Sequence, residues 1–86
     1  MDWLVAYDVS REEVRNKVAR LLSNYGYRVQ LSVFFVRGLS QREAERLLNE
    51  LKKLVNPKTD RVFMYPVKGI DFFKGYPVEP TAFVVL

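Results

Sequence analysis

Apolar and polar residues divide this chain into short blocks of two different periods. Trp3 to Tyr7 is an unbroken apolar and aromatic run, WLVAY, stopped by Asp8. A run so short and without alternation predicts a strand buried on both faces. Val14, Val18, Leu21, Leu22 and Tyr25 then recur at helical spacing, while Arg11, Glu12, Arg15, Asn16 and Arg20 fall off that face. Ser10 and Glu13 have the spacing of a capping box, which predicts a helix starting near Arg11, and Gly26 supplies its stop. From Arg28 to Leu39 the period changes to two, with Val29, Leu31, Val33 and Phe35 on one side and Gln30, Ser32, Phe34 and Val36 on the other. This stretch fits one long strand or two short ones, since no Asn-Gly or Pro-Gly pair marks a turn.

Ser40 and Glu43 repeat the capping-box spacing, and Ala44, Leu47, Leu48, Leu51 and Val55 mark the inner face of a second helix that Asn56-Pro57 ends. Arg61 to Tyr65 is a further strand closed by Pro66. Gly69, Gly75, Pro77 and Pro80 punctuate the approach to a last apolar run, Thr81 to Leu86. The order of elements predicts an α+β sandwich of ferredoxin-like βαββαβ type with an extra C-terminal strand, in one domain over residues 1–86. An apolar terminal strand left on an open sheet edge invites aggregation. Residues 78–86 are therefore expected to pair with a partner subunit in a symmetric homodimer.

Composition narrows the chemistry. The apolar fraction of 49% excludes a disordered chain. A domain of this size buries only about 60% of the surface its unfolded chain exposes, so a dimer interface would add useful burial. There is no Cys and no His, which removes thiol nucleophiles, disulfides, Cys/His zinc sites and imidazole acid–base chemistry together. Any catalysis must use carboxylates, hydroxyls, amines or a hard metal ion held by oxygen. The balance of 14 Lys plus Arg against 10 Asp plus Glu, a formal charge of +4, favours a polyanionic partner only moderately. No apolar stretch is long enough to span a membrane, and a cytoplasmic location without membrane contact is expected.

Asp8 is the sharpest candidate for chemistry. A carboxylate directly after a buried strand must be solvated, hydrogen-bonded or bound to a cation. As a helix-entry residue it would accept backbone N–H groups, a role that Ser10 and Glu13 already fill by their spacing. As a metal ligand it is one carboxylate per chain, which is a poor Mg²⁺ site. A twofold axis would supply a second Asp8, and the shared ion would then activate water without histidine. Arg11 and Arg15 lie one turn apart, with Lys17 and Arg20 on adjacent flanks, and Glu13 with Lys17 reads equally well as an ordinary surface pair. Arg28 and Arg37 bracket the central strand region, where a guanidinium fork suits phosphate. Lys52, Lys53 and Lys58 read as solvation of the C-terminal end of the second helix. Phe34 and Phe35 point to opposite faces of a strand, so one is expected to be exposed or at an interface. The Gly-Phe-Gly-Phe pattern of an RNA-recognition motif, the P-loop and GxGxxG are all absent.

The ordered combination of AYDVS, VRNKVARLL, YGYRVQLSVFF, LSQREAERLL and VFMYPV, covering Trp3 to Pro66, resembles the CRISPR-associated Cas2 family. The resemblance implies a ferredoxin-like homodimer that works with the CRISPR integrase, a Cas1 protein, in capturing spacers. It also implies that the central segment is two strands and that the terminal strand crosses to the partner. Some family members are metal-dependent nucleases on RNA or DNA. On that likeness Asp8 is the metal-binding, catalytic acid of a Mg²⁺-dependent endonuclease hydrolysing phosphodiester bonds, with Tyr7 beside it. Arg15, Lys17, Arg28, Ser32 and Phe34 fall on the family's substrate or cleft positions. At position 17 a lysine carries the charge without arginine's planar fork. Three functions are consistent with these expectations: a duplex-DNA-binding scaffold for the integrase, a metal-dependent endonuclease acting on DNA or single-stranded RNA, and a stand-alone toxin-like ribonuclease of the same architecture.

Overall fold

The computed structural model describes residues 1–67, and the strand expected over 78–86 lies outside the described residues. The chain runs β1 (Asp2–Asp8), α1 (Glu12–Ser23), β2 (Gly26–Gln30), β3 (Val33–Val36), α2 (Gln41–Leu54) and β4 (Arg61–Val67). The four strands form one antiparallel sheet in the order β2-β3-β1-β4, which is the ferredoxin-like arrangement. The central segment is thus two strands, turning at Leu31 and Ser32. A bulge between Arg28 and Gln30 breaks the strict alternation of this segment, and Leu31 is 85% exposed at the turn rather than inward.

The continuous WLVAY run is explained by a core on each face of β1. Trp3, Val5 and Tyr7 join Phe34, Val36, Val62 and Met64 beneath the helices, where Val18 and Leu22 of α1 and Leu47 and Leu51 of α2 are fully buried. Leu4 faces the other way, into a cluster with Phe35 and Val67 against which Val29, Val33 and Tyr65 pack, and no residue of α1 or α2 belongs to it. Phe34 and Phe35 do point to opposite faces, yet both are buried, at 2% and 6% exposure, because each face has its own apolar cluster.

Three local expectations need correction. Ser10 and Glu13 do not cap α1: Arg11 is the N-cap without a side-chain cap bond. The Ser10 hydroxyl is turned to Asp60, and Glu13 pairs with Arg11. Gly26 does not terminate α1, whose last turn closes by Asn24 N–H donating to the Leu21 carbonyl at 3.1 Å and Tyr25 N–H to that of Leu22 at 2.9 Å. Gly26 instead opens β2 where a Cβ would stand 2.0 Å from the Phe35 carbonyl oxygen, so only glycine lets the strands meet. Pro66 does not close β4, which continues to Val67, with Pro66 opposite Trp3. Proline is tolerated there because β4 is an edge of the sheet among the described strands. By contrast, Ser40 and Glu43 do form a capping box on α2, with reciprocal bonds of 3.1 Å.

Candidate functional site

β1 ends beside the β2–β3 turn, and the two together with α1 enclose a surface cleft of about 440 Å³. Its lining includes Tyr7, Asp8, Arg15, Arg28 and Ser32, so five of the seven side chains singled out from the sequence converge on one place. The convergence follows from the sheet register. Tyr7 N–H donates to the Ser32 carbonyl at 3.1 Å, joining the end of β1 to the turn, while Arg28 lies opposite Phe34 across the β2–β3 pair.

Phe34 supports the cleft from below rather than lining it. Its buried ring stacks on Tyr7 with centroids 6.4 Å apart, and the Arg28 guanidinium sits 5.3 Å above its centroid. This cation–π contact ties the Arg28 guanidinium to the Phe34 ring at the cleft. Lys17 is elsewhere, on another flank of α1, where it shares a shallow groove with Arg20, Leu21, Glu50 and Lys53. Two positions apart on a helix are about 200° apart around its axis, so Arg15 and Lys17 cannot both face the cleft.

Arg15 has a structural task as well. Its Nη1 donates to the Val9 and Ser10 carbonyls, both at 2.9 Å, which leaves Nη2 and Nε to meet an anion. The Asp8 carboxylate is exposed and, among the described residues, makes no hydrogen bond or ion pair. Glu12, in the first turn of α1, lines the same cleft and adds a second carboxylate to it. Glu12 and Asn16 carry no signal in the sequence, where an exposed polar residue on a helix reads as solvation, and only the packing of α1 beside the end of β1 brings them to the cleft.

The donors present are carboxylate, amide and hydroxyl oxygens, which suit a hard ion such as Mg²⁺. Among the described residues no three acidic, His or Cys side chains cluster closely enough to cage a metal. That is compatible with Mg²⁺, which usually takes one or two carboxylates and keeps waters or substrate phosphate for the rest. Asp8 and Glu12 are the side chains that would hold it.

Asp60, which carries no motif in the sequence, is only 9% exposed and bonds to Ser10, the residue after the cleft-lining Val9. Its Oδ2 accepts the Asn56 N–H at 2.8 Å, and its Oδ1 accepts the Ser10 N–H, the Ser10 hydroxyl and the Thr59 hydroxyl, each at 3.1 Å. The backbone N–H groups of Asn56 and then Ser10 hold this carboxyl below the usual carboxylate range. No helix among the described residues is long and apolar enough to cross a membrane.

Comparison with known proteins agrees with the fold. The family model described as CRISPR associated protein Cas2 matches residues 1–74. The chain is 44% identical over 64 residues to the CRISPR-associated endoribonuclease Cas2 4 of Rhodospirillum rubrum, a match covering 74% of this chain and 51% of that protein. The matched stretch therefore spans about half the length of that relative. The crystal structure of a hypothetical protein from Thermus thermophilus superposes with a TM-score of 0.78 at 38% identity, over 92% of this chain and 95% of that one. The crystal structure of Streptococcus pyogenes Cas2 gives 0.72 at 33% identity, over 79% and 87%.

Proposed function

This chain belongs to the CRISPR-associated Cas2 family, and we propose that it serves in spacer acquisition as a homodimer that binds duplex DNA through its phosphates while a Cas1 integrase performs strand transfer. The observation that carries this reading is the convergence of Arg15, Arg28 and Ser32 on one cleft at the end of β1. Guanidinium N–H groups and a hydroxyl are the donors that phosphate oxygens take, and Arg28, held over the Phe34 ring, is suited to a bidentate contact. An isologous pairing of two copies would place two such clefts in one assembly.

Asp8 favours a second activity in the same cleft, Mg²⁺-dependent endonucleolytic cleavage of RNA or DNA. An exposed carboxylate without a protein partner among the described residues, next to two arginines, repels phosphate unless a cation intervenes. A divalent ion bound there supplies that positive charge and makes a water more acidic. Arg15 and Arg28 then orient the phosphodiester by its non-bridging oxygens, and Asp8, with Glu12 beside it, fixes where the charge sits. The same relation between two copies would let both Asp8 carboxylates share the ion. A stand-alone ribonuclease would use the same residues without the integrase.

The test is a side-by-side assay of wild type and Asp8→Ala. Divalent-dependent cleavage should vanish in the variant, while duplex binding and co-purification with Cas1 persist. A wild type that cleaves neither RNA nor DNA removes the nuclease reading. A chain that stays monomeric at micromolar concentration and binds neither duplex nor integrase removes the scaffold reading.

A further inference from the structure

Asp8 stands at the start of the β1–α1 loop, and that loop is gripped from both sides. From α1, Arg15 donates to the Val9 and Ser10 carbonyls. From the α2–β4 connection, Asp60 takes the Ser10 N–H and hydroxyl on Oδ1. Asp60 is itself locked in a tight turn: its N–H donates to the Asn56 carbonyl at 2.8 Å, and its Oδ2 accepts the Asn56 N–H. The next residue, Arg61, pairs with Asp8 across β1 and β4. The same few residues therefore fix the backbone of Asp8 through the sheet and the chain just beyond it through a side chain.

We propose that Asp60 is a positioning residue for the Asp8 cleft, a latch that ties the Asp8-bearing loop to the base of β4 and sets the distance between the Asp8 carboxylate and Arg15. For its effect on metal use, the inference rests on the reading of Asp8 as a metal-binding acid. The capping-box spacing of Ser10 and Glu13 is left unused because Ser10 serves this latch instead. A neutral amide cannot replace the carboxylate: an asparagine has one acceptor oxygen, so its NH₂ group must face either the Asn56 N–H or the donors of Ser10 and Thr59.

The experiment compares the wild-type protein with Asp60→Asn, Ser10→Ala and Thr59→Ala. Thr59→Ala removes a bond to the same Oδ1 without touching the β1–α1 loop. Folding is checked by circular dichroism, hydrogen exchange is read at the Ser10 amide, and cleavage is titrated with Mg²⁺. Asp60→Asn should speed exchange at Ser10 and raise the Mg²⁺ half-saturation roughly tenfold or more, with Thr59→Ala close to wild type in both. Ser10→Ala, which keeps the exposed site and the N–H bond, should give a smaller shift in the same direction and decides the matter if Asp60→Asn does not fold. Unchanged exchange and unchanged Mg²⁺ half-saturation in these variants, or equal shifts in Thr59→Ala, overturn the proposal. If the wild type neither binds nor uses Mg²⁺, the reading of Asp8 fails alone, and exchange at Ser10 still decides whether Asp60 latches the loop.

Discussion

Arg28 and Phe34 form the residue pair on which the proposed phosphate binding turns, because the guanidinium lies 5.3 Å from the centroid of a buried ring. Arg28→Lys keeps the charge and loses both the fork and the stacking, so duplex affinity should fall, though by less than in Arg28→Ala. Nitrocellulose filter binding at constant salt would rank the three proteins. Asp8→Asn should leave stability within about 0.5 kcal/mol of wild type, as for exposed side chains without partners, so lost cleavage in that variant reports chemistry and not unfolding. Two glycines separate steric from conformational need. Gly26→Ala forces a Cβ into the Phe35 carbonyl and should cost about 1–3 kcal/mol, as overpacking does. Gly38 has φ of 71° with open space around it, so Gly38→Ala should cost about 1–2 kcal/mol from backbone strain alone. Urea unfolding of the two variants tests both values.

At the scale of elements, the two helices start by different means, and the carboxylate at each start should contribute to the acid dependence of stability. Glu43 is held below the usual carboxylate range by its bonds at the Ser40 cap of α2, and Asp60 by the N–H groups of Asn56 and Ser10. Both have a folded pKa lower than the unfolded one, so their contributions are complete above the unfolded value of about 4 and are lost as pH falls through the lower folded value. Glu43→Gln and Asp60→Asn should each flatten the fall in unfolding free energy between neutral pH and about pH 3. Both helices were legible from their apolar faces, since Val18, Leu22, Ala44, Leu47 and Leu51 are the buried positions. The caps were less so: Ser10–Glu13 and Ser40–Glu43 have the same spacing, and only the long-range acceptor Asp60, 50 residues away, diverts the first. The β2–β3 turn was hidden for a similar reason. Leu31 and Ser32 carry no turn signal, and the break is made by the bulge and by Tyr7 bonding to Ser32 across the sheet. Asp8, Arg15, Arg28 and Ser32 were found as candidates, whereas Glu12 and the departure of Lys17 became visible only when α1 was set against the sheet.

For the whole molecule, the described sheet carries an apolar cluster on each face, one under α1 and α2 and one around Leu4, Phe35 and Val67. A homodimer would double the cleft arginines as well as the carboxylates. Duplex binding should then weaken with salt along a slope of about −0.9 per phosphate neutralised, and Arg28→Ala should reduce the slope by about 2, one phosphate per protomer. A phosphate-binding cleft and a metal-binding acid are proposed to coincide at the end of β1. The most direct measurement is divalent-dependent cleavage of labelled RNA and DNA by wild type and Asp8→Ala, with duplex affinity measured on the same preparations. Cleavage lost in the variant with duplex affinity within about twofold of wild type is the predicted result, since about 0.4 kcal/mol separates the two at that ratio. Undiminished cleavage in Asp8→Ala would contradict it.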